Sequence, residues 1–227
     1  MDFAGFTITS TGMRPMDQIL SAIEHFPTPT NITGARSWFG LVNQVAYAFS
    51  MADEMLPFRE LLKRGAQWYW DDNLDKLFTK SKAMIVQLVK NGVRSFEIGK
   101  PTCLCTDWSK DGIGFVLLQK HCTCPMDEAP RCCNDGWALI FAGSRFTTDT
   151  ESRYAPIEGE ALGVVHALEK CRMFVLGCPN LTVVVDHKPL VRILSDKSLQ
   201  NIKNPRLFNL KEKTLMYKFQ IKHVPGK

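Results

Sequence analysis

The chain has 227 residues, of which 45% are hydrophobic and 22% charged, and its formal net charge is +5. This composition is ordinary for a globular protein and excludes a low-complexity or fibrous chain, while the length suits one large domain or two small ones. No apolar run approaches the roughly 20 residues of a membrane-spanning helix, and the N-terminus lacks the basic and apolar segments of a signal peptide, so we expect an intracellular protein without membrane contact.

Helical patterns dominate the first 95 residues, which begin with a strand-like segment. Phe3–Thr9 has the composition of a short strand, and Pro15 suits the first turn of a helix over Met16–His25. Three further helices are expected. Thr30 or Asn31 caps the second, and the third begins at Pro57 and extends through Leu62. Asp71 or Asp72 caps the fourth, which Gly92 ends.

From Ser95 onwards the apolar segments become shorter, and both strand-like and helical patterns occur. Strand-like segments fall at Thr102–Thr106, Ile113–Gln119, Trp137–Ala142, Leu181–Val185 and Phe219–Val224. Helical patterns fall at Ile157–Leu176, Pro189–Leu194 and Pro205–Thr214. This order predicts a mixed α/β fold with a mixed sheet, and a domain boundary near residue 95.

Three acidic residues lie at the ends of these predicted elements. Asp107 follows the first strand, Glu160 opens the apolar part of the long helix, and Asp186 follows the fourth strand. Strand ends and a helix start can bring distant carboxylates to one point, and paired divalent cations held by carboxylates cleave phosphodiesters. The sequence therefore predicts a metal-dependent nuclease site. Glu158, two residues from Glu160, points to another side of the helix and is a reserve candidate.

The C-terminal segment is strongly basic. Residues 188–227 contain ten lysines and arginines against Asp196 and Glu212, a charge of +8 that leaves −3 for the preceding residues. A basic segment beside a carboxylate cluster suits a polyanionic substrate held near bound metal. The alternative is a solvated basic face without a binding role.

The chain has eight cysteines, and seven of them fall into two groups. Cys103, Cys105 and Cys171 lie in apolar runs and are expected in the core. The second group lies in the loop between two expected hairpin strands: Cys122, Cys124, Cys132 and Cys133. Four thiolates suit zinc, although the spacing is not the usual Cys-x₂-Cys, and a local disulfide or reduced surface thiols are the other interpretations.

Two ordered sets of motifs resemble the Pol polyprotein of gypsy-type LTR retrotransposons. The first set resembles the thumb and connection region of the reverse transcriptase: Phe26-Pro-Thr-Pro-Thr30, Arg36-Ser-Trp-Phe-Gly-Leu41, Pro57-Phe-Arg-Glu-Leu-Leu62 and Trp70. The second resembles the RNase H domain that follows it: Thr106-Asp-Trp-Ser109, Gly112-Ile-Gly114, Leu117-Leu-Gln119, Tyr154, Glu158-Gly-Glu-Ala-Leu162, Asp186-His-Lys-Pro-Leu190 and His223-Val-Pro-Gly-Lys227. The resemblance covers essentially the whole chain.

The resemblance implies a helical thumb and connection segment over residues 1–95 and an RNase H-like domain over 96–227, with a five-stranded mixed sheet and helices on both faces. It also implies cleavage of the RNA strand of RNA–DNA hybrids with two Mg²⁺ ions, for which Mn²⁺ is a possible substitute. Asp107, Glu160 and Asp186 correspond to the family's metal-binding carboxylates, and we expect Asp107 to bridge the two ions because a central strand is the most rigid platform.

The same resemblance identifies the expected partners. These are an RNA–DNA hybrid or other duplex, and the remaining parts of a nucleotidyltransferase polyprotein, namely the polymerase palm and fingers and the integrase, in the cytoplasm or a virus-like particle. Candidate nucleic-acid contacts lie near the site in sequence: Ser109, Arg145, His187, Lys188 and Arg192.

Two departures from the family pattern leave two functions open. The family's domain has a further metal-binding aspartate downstream of the Pro-Gly-Lys segment, where this chain stops at Lys227, and the polymerase palm, with the strand that carries its Tyr-x-Asp-Asp motif, is expected upstream of residue 1. The chain thus resembles an internal part of a Pol polyprotein that would not synthesise DNA by itself. It is expected to be either an RNase H or a catalytically inactive remnant that binds nucleic acid.

Overall fold

The chain folds as two units, Met1–Ser95 and Phe96–Lys227. The computed structural model describes residues 1–49, 55–63, 65–125, 132–133 and 136–225. Within these ranges, no helix combines the length and apolarity needed to cross a bilayer.

The described residues of the first unit form a small antiparallel sheet and four α-helices. Its strands are β1 (Asp2–Phe3), β2 (Phe6–Ile8), β3 (Gly12–Pro15) and β4 (Val93–Arg94), in the order β1-β2-β3-β4. Its helices are α1 (Asp17–Glu24), α2 (Ile32–Val45), α3 (Leu56–Leu62) and α4 (Asp72–Val89). The buried Trp38 of α2 contacts the rings of Phe26 and Phe78, with centroids 5.3 and 5.0 Å away, and these rings form the centre of the core.

The beginning of the chain differs from its prediction in two ways. The expected strand Phe3–Thr9 is instead a tight hairpin of β1 and β2, because Ala4 and Gly5 both adopt positive φ values, 51° and 87°, that reverse the chain. Pro15 was expected in the first turn of a helix, but it ends β3, where it pairs with Phe6. Helix α1 begins two residues later.

The helix boundaries in this unit follow the local capping chemistry. The side chain of Asn31 accepts a hydrogen bond from the Gly34 N–H, and that of Asp71 accepts one from the Leu74 N–H, each at 2.8 Å. Gly92 follows the end of α4 with φ of 67°, a conformation that favours glycine. These predicted boundaries are confirmed, with Asn31 and Asp71 as the capping residues.

The second unit is built on a five-stranded mixed sheet. Its strands are β5 (Thr102–Trp108), β6 (Gly112–Lys120), β7 (Trp137–Phe146), β8 (Leu181–Val185) and β9 (Gln220–His223), in the order β7-β6-β5-β8-β9. Its helices are α5 (Pro156–Lys170), α6 (Arg172–Val175), α7 (Lys188–Leu194) and α8 (Pro205–Thr214). Strands β5, β6 and β7 pair antiparallel, while β8 runs parallel to β5 and β9. The predicted mixed α/β class is confirmed.

One face of this sheet forms the core with the helices. Leu117, Leu104 and Val183 are paired neighbours on three adjacent strands, and all three are fully buried. They belong to one apolar cluster that includes Val164 and Leu168 of α5 together with residues of α7 and α8. The strands are therefore held from this side by α5, whose N-terminal turn lies near the ends of β5 and β8.

The long helix predicted over Ile157–Leu176 is interrupted. Helix α5 ends at Lys170, and Cys171 leaves helical geometry with φ of −86° and ψ of 6° before α6 begins. No glycine or proline marks this break. Cys171 and Val175 are both completely buried, so nonlocal packing determines where the chain turns.

Candidate active site

The sheet register brings two of the three predicted carboxylates together. Cys105 of β5 pairs with Val184 of β8, and the two strands are parallel. Two residues further along the chain, each strand leads to an aspartate. Asp107 is the second-to-last residue of β5, and Asp186 comes directly after β8. Both side chains are exposed at the same edge of the sheet.

The N-terminal turn of α5 approaches this edge closely because it contains a glycine. A Cβ added to Gly159 would overlap the indole of Trp108, 2.5 Å from Cε3. One turn later, a Cβ at Gly163 would lie in ordinary contact, 3.6 Å from the Asp107 carbonyl oxygen. The helix can therefore rest against the end of β5, and Glu160, adjacent to Gly159, reaches the two aspartates.

The three carboxylates form a compact cluster. Asp107, Glu160 and Asp186 each offer an oxygen, and these oxygens all lie within 4.8 Å of one another. Glu160 is only 5% exposed, and its Oε2 has no hydrogen-bond partner among the described residues. Burial, and then the negative charges of Asp186 and Asp107, raise the pKa of Glu160 to about 8, although a backbone hydrogen bond from Trp108 opposes the rise.

This arrangement fits a divalent cation. A buried carboxylate oxygen without a donor, facing two further carboxylates, is a costly arrangement unless a proton or a cation compensates it. Oxygen-only ligands of this kind suit hard cations such as Mg²⁺ or Mn²⁺ rather than zinc or copper. The cluster can therefore bind a divalent cation in place of the proton on Glu160.

The sequence of this unit matches a known family. Residues 97–217, more than half of the chain, match the family described as the RNase H-like domain found in reverse transcriptase. The chain belongs to this family. The match spans all three carboxylates of the cluster.

Related proteins extend the likeness over the whole chain. It is 29% identical to the Pol polyprotein from transposon 297 of Drosophila melanogaster and 26% identical to that from transposon 412, covering 100% and 99% of this chain but 19% and 17% of those proteins. The polyprotein from transposon gypsy is 24% identical over 100% of the chain. The chain thus spans about a fifth of the length of these relatives. The predicted relationship to retrotransposon Pol polyproteins is confirmed.

Solved structures show the same fold. A foamy viral protease-reverse transcriptase in complex with an RNA/DNA hybrid aligns with 100% of this chain and 30% of its own, at a TM-score of 0.71 and 16% identity. The same enzyme in complex with double-stranded DNA aligns with 100% of this chain and 45% of its own, at a TM-score of 0.72 and 15% identity. At this identity the likeness concerns the fold alone.

Glu158, the reserve candidate, lies outside the carboxylate cluster. Its carboxylate accepts hydrogen bonds from Asn204 Nδ2 at 2.8 Å, Arg206 Nη1 at 2.6 Å and the Ala155 N–H at 3.2 Å. The Asn204 hydrogen bond, followed by the Arg206 contact, holds its pKa below the usual range despite burial. Arg206 also lies over the Tyr154 ring, 4.0 Å from its centroid. Glu158 therefore connects the start of α5 to the start of α8.

Among the candidate nucleic-acid contacts, the positive charge of Arg145 is paired with a carboxylate of the same domain. Its guanidinium binds both oxygens of Glu151 at 2.7 and 2.8 Å, and it also donates to the Phe146 carbonyl. The Arg145 hydrogen bonds are the main cause that lowers the pKa of Glu151 to about 2. Arg145 thus fixes the 3₁₀ turn Glu151–Arg153 to the end of β7.

The other four candidates lie in two places. Ser109 stabilises the turn between β5 and β6, where its Oγ accepts hydrogen bonds from two backbone N–H groups. His187 precedes α7 and is half-buried, whereas Lys188 and Arg192 on α7 are exposed. The two exposed cations lie two and six positions after Asp186 in the chain and are available to a polyanion.

Two contributors to this site were not identified as such from the sequence. Gly159 permits the close approach of α5, and the His223 Nε2 lies 2.9 Å from the Asp186 carbonyl oxygen, which joins β9 to the strand end that presents Asp186. Both residues occur in the quoted family motifs. Gly226 and Lys227 of the His223 motif lie outside the described residues.

Proposed function

We propose that Asp107, Glu160 and Asp186 form the centre of a divalent-metal-dependent endonuclease that hydrolyses the RNA strand of RNA–DNA hybrids during reverse transcription. The observation that supports this proposal most directly is the convergence of three carboxylate oxygens within 4.8 Å, one of them buried without a hydrogen-bond donor. Membership of the RNase H-like family of reverse transcriptases supports the same reaction class.

In this proposal each carboxylate has its own task. Asp107, on the central strand of the sheet, would help to hold both of two Mg²⁺ ions, while Glu160 and Asp186 would each help to hold one. Bound Mg²⁺ ions would supply water activation and stabilise the leaving oxygen of a phosphodiester. Glu160 must lose its proton before it binds a cation, so we expect cation affinity to increase as the pH rises towards its pKa of about 8.

The substrate assignment rests on charge and on the neighbouring structures. The segment 188–227 is basic, and the exposed Lys188 and Arg192 lie two and six positions after Asp186 in the chain. Such cations bind phosphates without reading base sequence, as recognition of a duplex by its backbone requires. The foamy viral relative is in complex with an RNA/DNA hybrid, which is the substrate class we propose for this chain.

We assign the first unit, residues 1–95, to the thumb and connection region of a reverse transcriptase and the second unit to its RNase H domain. The remaining parts of the Pol polyprotein, the palm, fingers and integrase, are the proposed partners. Similarity to three transposon Pol polyproteins, which extends over 99–100% of this chain, supports this assignment.

The experiment that tests the proposed activity uses end-labelled RNA–DNA hybrid with the purified 227-residue chain and Mg²⁺. We expect cleavage of the RNA strand that is abolished by EDTA and by Asp107→Asn. The matched control is Asp149→Asn, which neutralises an exposed aspartate of the same unit outside the cluster and should leave cleavage unchanged.

The outcomes separate the two candidate functions. Cleavage that survives Asp107→Asn would contradict the assigned role of the cluster. Binding of the hybrid without cleavage by the wild-type chain, measured by fluorescence anisotropy at several salt concentrations, would instead favour a non-catalytic nucleic-acid-binding protein, because phosphate contacts weaken steeply with salt.

A further inference from the structure

We infer that Cys122, Cys124, Cys132 and Cys133 bind one structural Zn²⁺ ion, which joins the two arms of the loop between β6 and β7. The first two cysteines leave β6, and the last two precede β7. This site has different ligand chemistry from the carboxylate cluster and lies in another segment of the chain. It does not depend on the proposed nuclease activity.

The arrangement of the four sulfur atoms matches a tetrahedral site. All four Sγ atoms lie within 4.8 Å of one another, and those of Cys122 and Cys132 are 3.2 Å apart. In a tetrahedron with Zn–S bonds of about 2.3 Å, the sulfur atoms are separated by about 3.8 Å. Small side-chain rotations would therefore suffice for the four cysteines to surround one ion.

The backbone at the base of the loop is already held in place. Lys120 and Trp137 form the last pair between β6 and β7, and the His121 N–H donates to the Gly136 carbonyl at 2.7 Å. A Cβ at Gly136 would lie 2.7 Å from Cys122 Sγ and closer still to Cys133 Sγ, so the sulfur atoms pack against a backbone with space only for hydrogen. The fold thus brings the two pairs of cysteines together across the loop.

The groups around the sulfur atoms suit bound thiolates. The indole Nε1–H of Trp137 donates to Cys132 Sγ at 3.2 Å, a second-shell hydrogen bond of the kind that orients metal ligands. The Lys120 ammonium donates to the carbonyls of Cys124 and Pro125, the latter at 3.2 Å. Its positive charge offsets part of the two negative charges that a zinc ion with four thiolates would have.

The alternative interpretations fit this geometry less well. A disulfide requires an S–S distance of about 2.05 Å, whereas Cys122 and Cys132 are separated by 3.2 Å, and all four cysteines are free thiols. Four soft sulfur ligands select zinc or iron over Mg²⁺. Zinc binding releases one proton from each thiol to solvent as four Zn–S bonds form, so it needs no oxidant or other reactant.

The metal content of the purified chain tests this inference directly. We expect mass spectrometry of the metals to find about one zinc per chain after purification under reducing conditions without chelator. Replacing zinc by Co²⁺ should give the intense visible absorption of tetrahedral cobalt–thiolate centres. Displacement of the metal by a mercurial reagent, followed with a zinc-sensitive dye, should release the same single equivalent.

Variants distinguish this cluster from the other cysteines. In the double variant Cys122→Ser/Cys132→Ser, which removes one ligand from each arm, we expect zinc to fall to background. Cys105→Ser is the matched control, because Cys105 is similarly half-buried but lies on β5 outside the cluster, and it should retain zinc. Circular dichroism checks that both variants are folded. If the double variant does not fold, the cobalt spectrum of the wild-type chain still tests the site.

Three results would overturn the inference. These are a wild-type chain without stoichiometric metal, a double variant that retains zinc, and an intact mass that shows a disulfide under reducing conditions. Iron in place of zinc would overturn the choice of metal. None of these measurements uses nucleic acid, so failure of the zinc site is distinguishable from failure of the proposed nuclease.

Discussion

The replacement Glu160→Gln is expected to stabilise the metal-free protein at alkaline pH while abolishing hydrolysis. Glu160 is buried beside Asp107 and Asp186, so ionising it costs free energy in the folded chain but not in the unfolded chain. Glutamine has nearly the same shape as protonated glutamic acid and cannot ionise. It therefore removes the electrostatic cost and also removes a ligand for the cation.

The magnitude follows from the difference in pKa between the folded and unfolded states. The folded pKa is about 8, compared with about 4.3 for an unperturbed glutamate. Because the folded pKa is raised, the cost is absent below about pH 4.3 and grows until the pH reaches about 8. At 1.36 kcal/mol per pKa unit, the upper bound on the free-energy cost of ionising Glu160 is about 5 kcal/mol. Solvent around the two exposed aspartates screens their charges, so we expect a cost of about 2 kcal/mol at pH 8.

The assay is urea denaturation of wild type and variant with EDTA at pH 5 and pH 8. We expect the variant to gain about 2 kcal/mol in free energy of unfolding at pH 8, and much less at pH 5, where wild-type Glu160 keeps its proton in the folded state. Added Mg²⁺ should then stabilise the wild type more than the variant. The matched control is Glu169→Gln, which changes an exposed glutamate of the same helix outside the carboxylate cluster, and Mg²⁺ should stabilise this variant as much as the wild type.

Two results would refute this reasoning. An equal difference between wild type and variant at both pH values would mean that the pKa of Glu160 is not raised in the folded protein. Equal stabilisation of both proteins by Mg²⁺ would mean that the cation binds without Glu160.

Two further predictions concern the elements that support the site. Gly159→Ala should destabilise the chain by about 1–3 kcal/mol, because the added methyl overlaps Trp108, and it should also weaken cation-dependent stabilisation by displacing α5; thermal unfolding with and without Mg²⁺ measures both. Glu151→Gln should cost about 1–2 kcal/mol at pH 7 because it breaks the bidentate pair with Arg145. Since the folded pKa of Glu151 is lowered to about 2, wild type should lose this advantage as the pH falls below about 4.3. Unfolding measured from pH 7 to pH 2 would contradict this prediction if the two curves stayed parallel.

Local signals predicted most of the secondary structure because they act over a few residues. The caps at Asn31 and Asp71 and the positive φ at Gly92 lie where the sequence indicates them. Strands β5, β6 and β8 were identified from short apolar runs bounded by turn residues. Where local signals were weak the prediction failed, as at the hairpin of Ala4 and Gly5.

Residue type alone did not distinguish site residues from structural ones. Glu158 and Glu160 are two positions apart on one helix, but Glu158 pairs with Arg206 while Glu160 faces the aspartates. Arg145 was a candidate for nucleic-acid contact, yet its charge is paired with Glu151. These partners are distant in sequence or lie across a turn, so only the folded chain reveals them.

The sequence by itself determined the order of the main strands and helices of the second unit, the family, and the placement of three acidic residues at element ends, because periodicity, capping and motif order are properties of the linear chain. Only the tertiary structure decided that these residues meet. The parallel register of β5 and β8 aligns Asp107 with Asp186, and the packing of Gly159 on Trp108 brings Glu160 to them. Both depend on contacts between residues more than 50 positions apart along the chain, which no local pattern specifies.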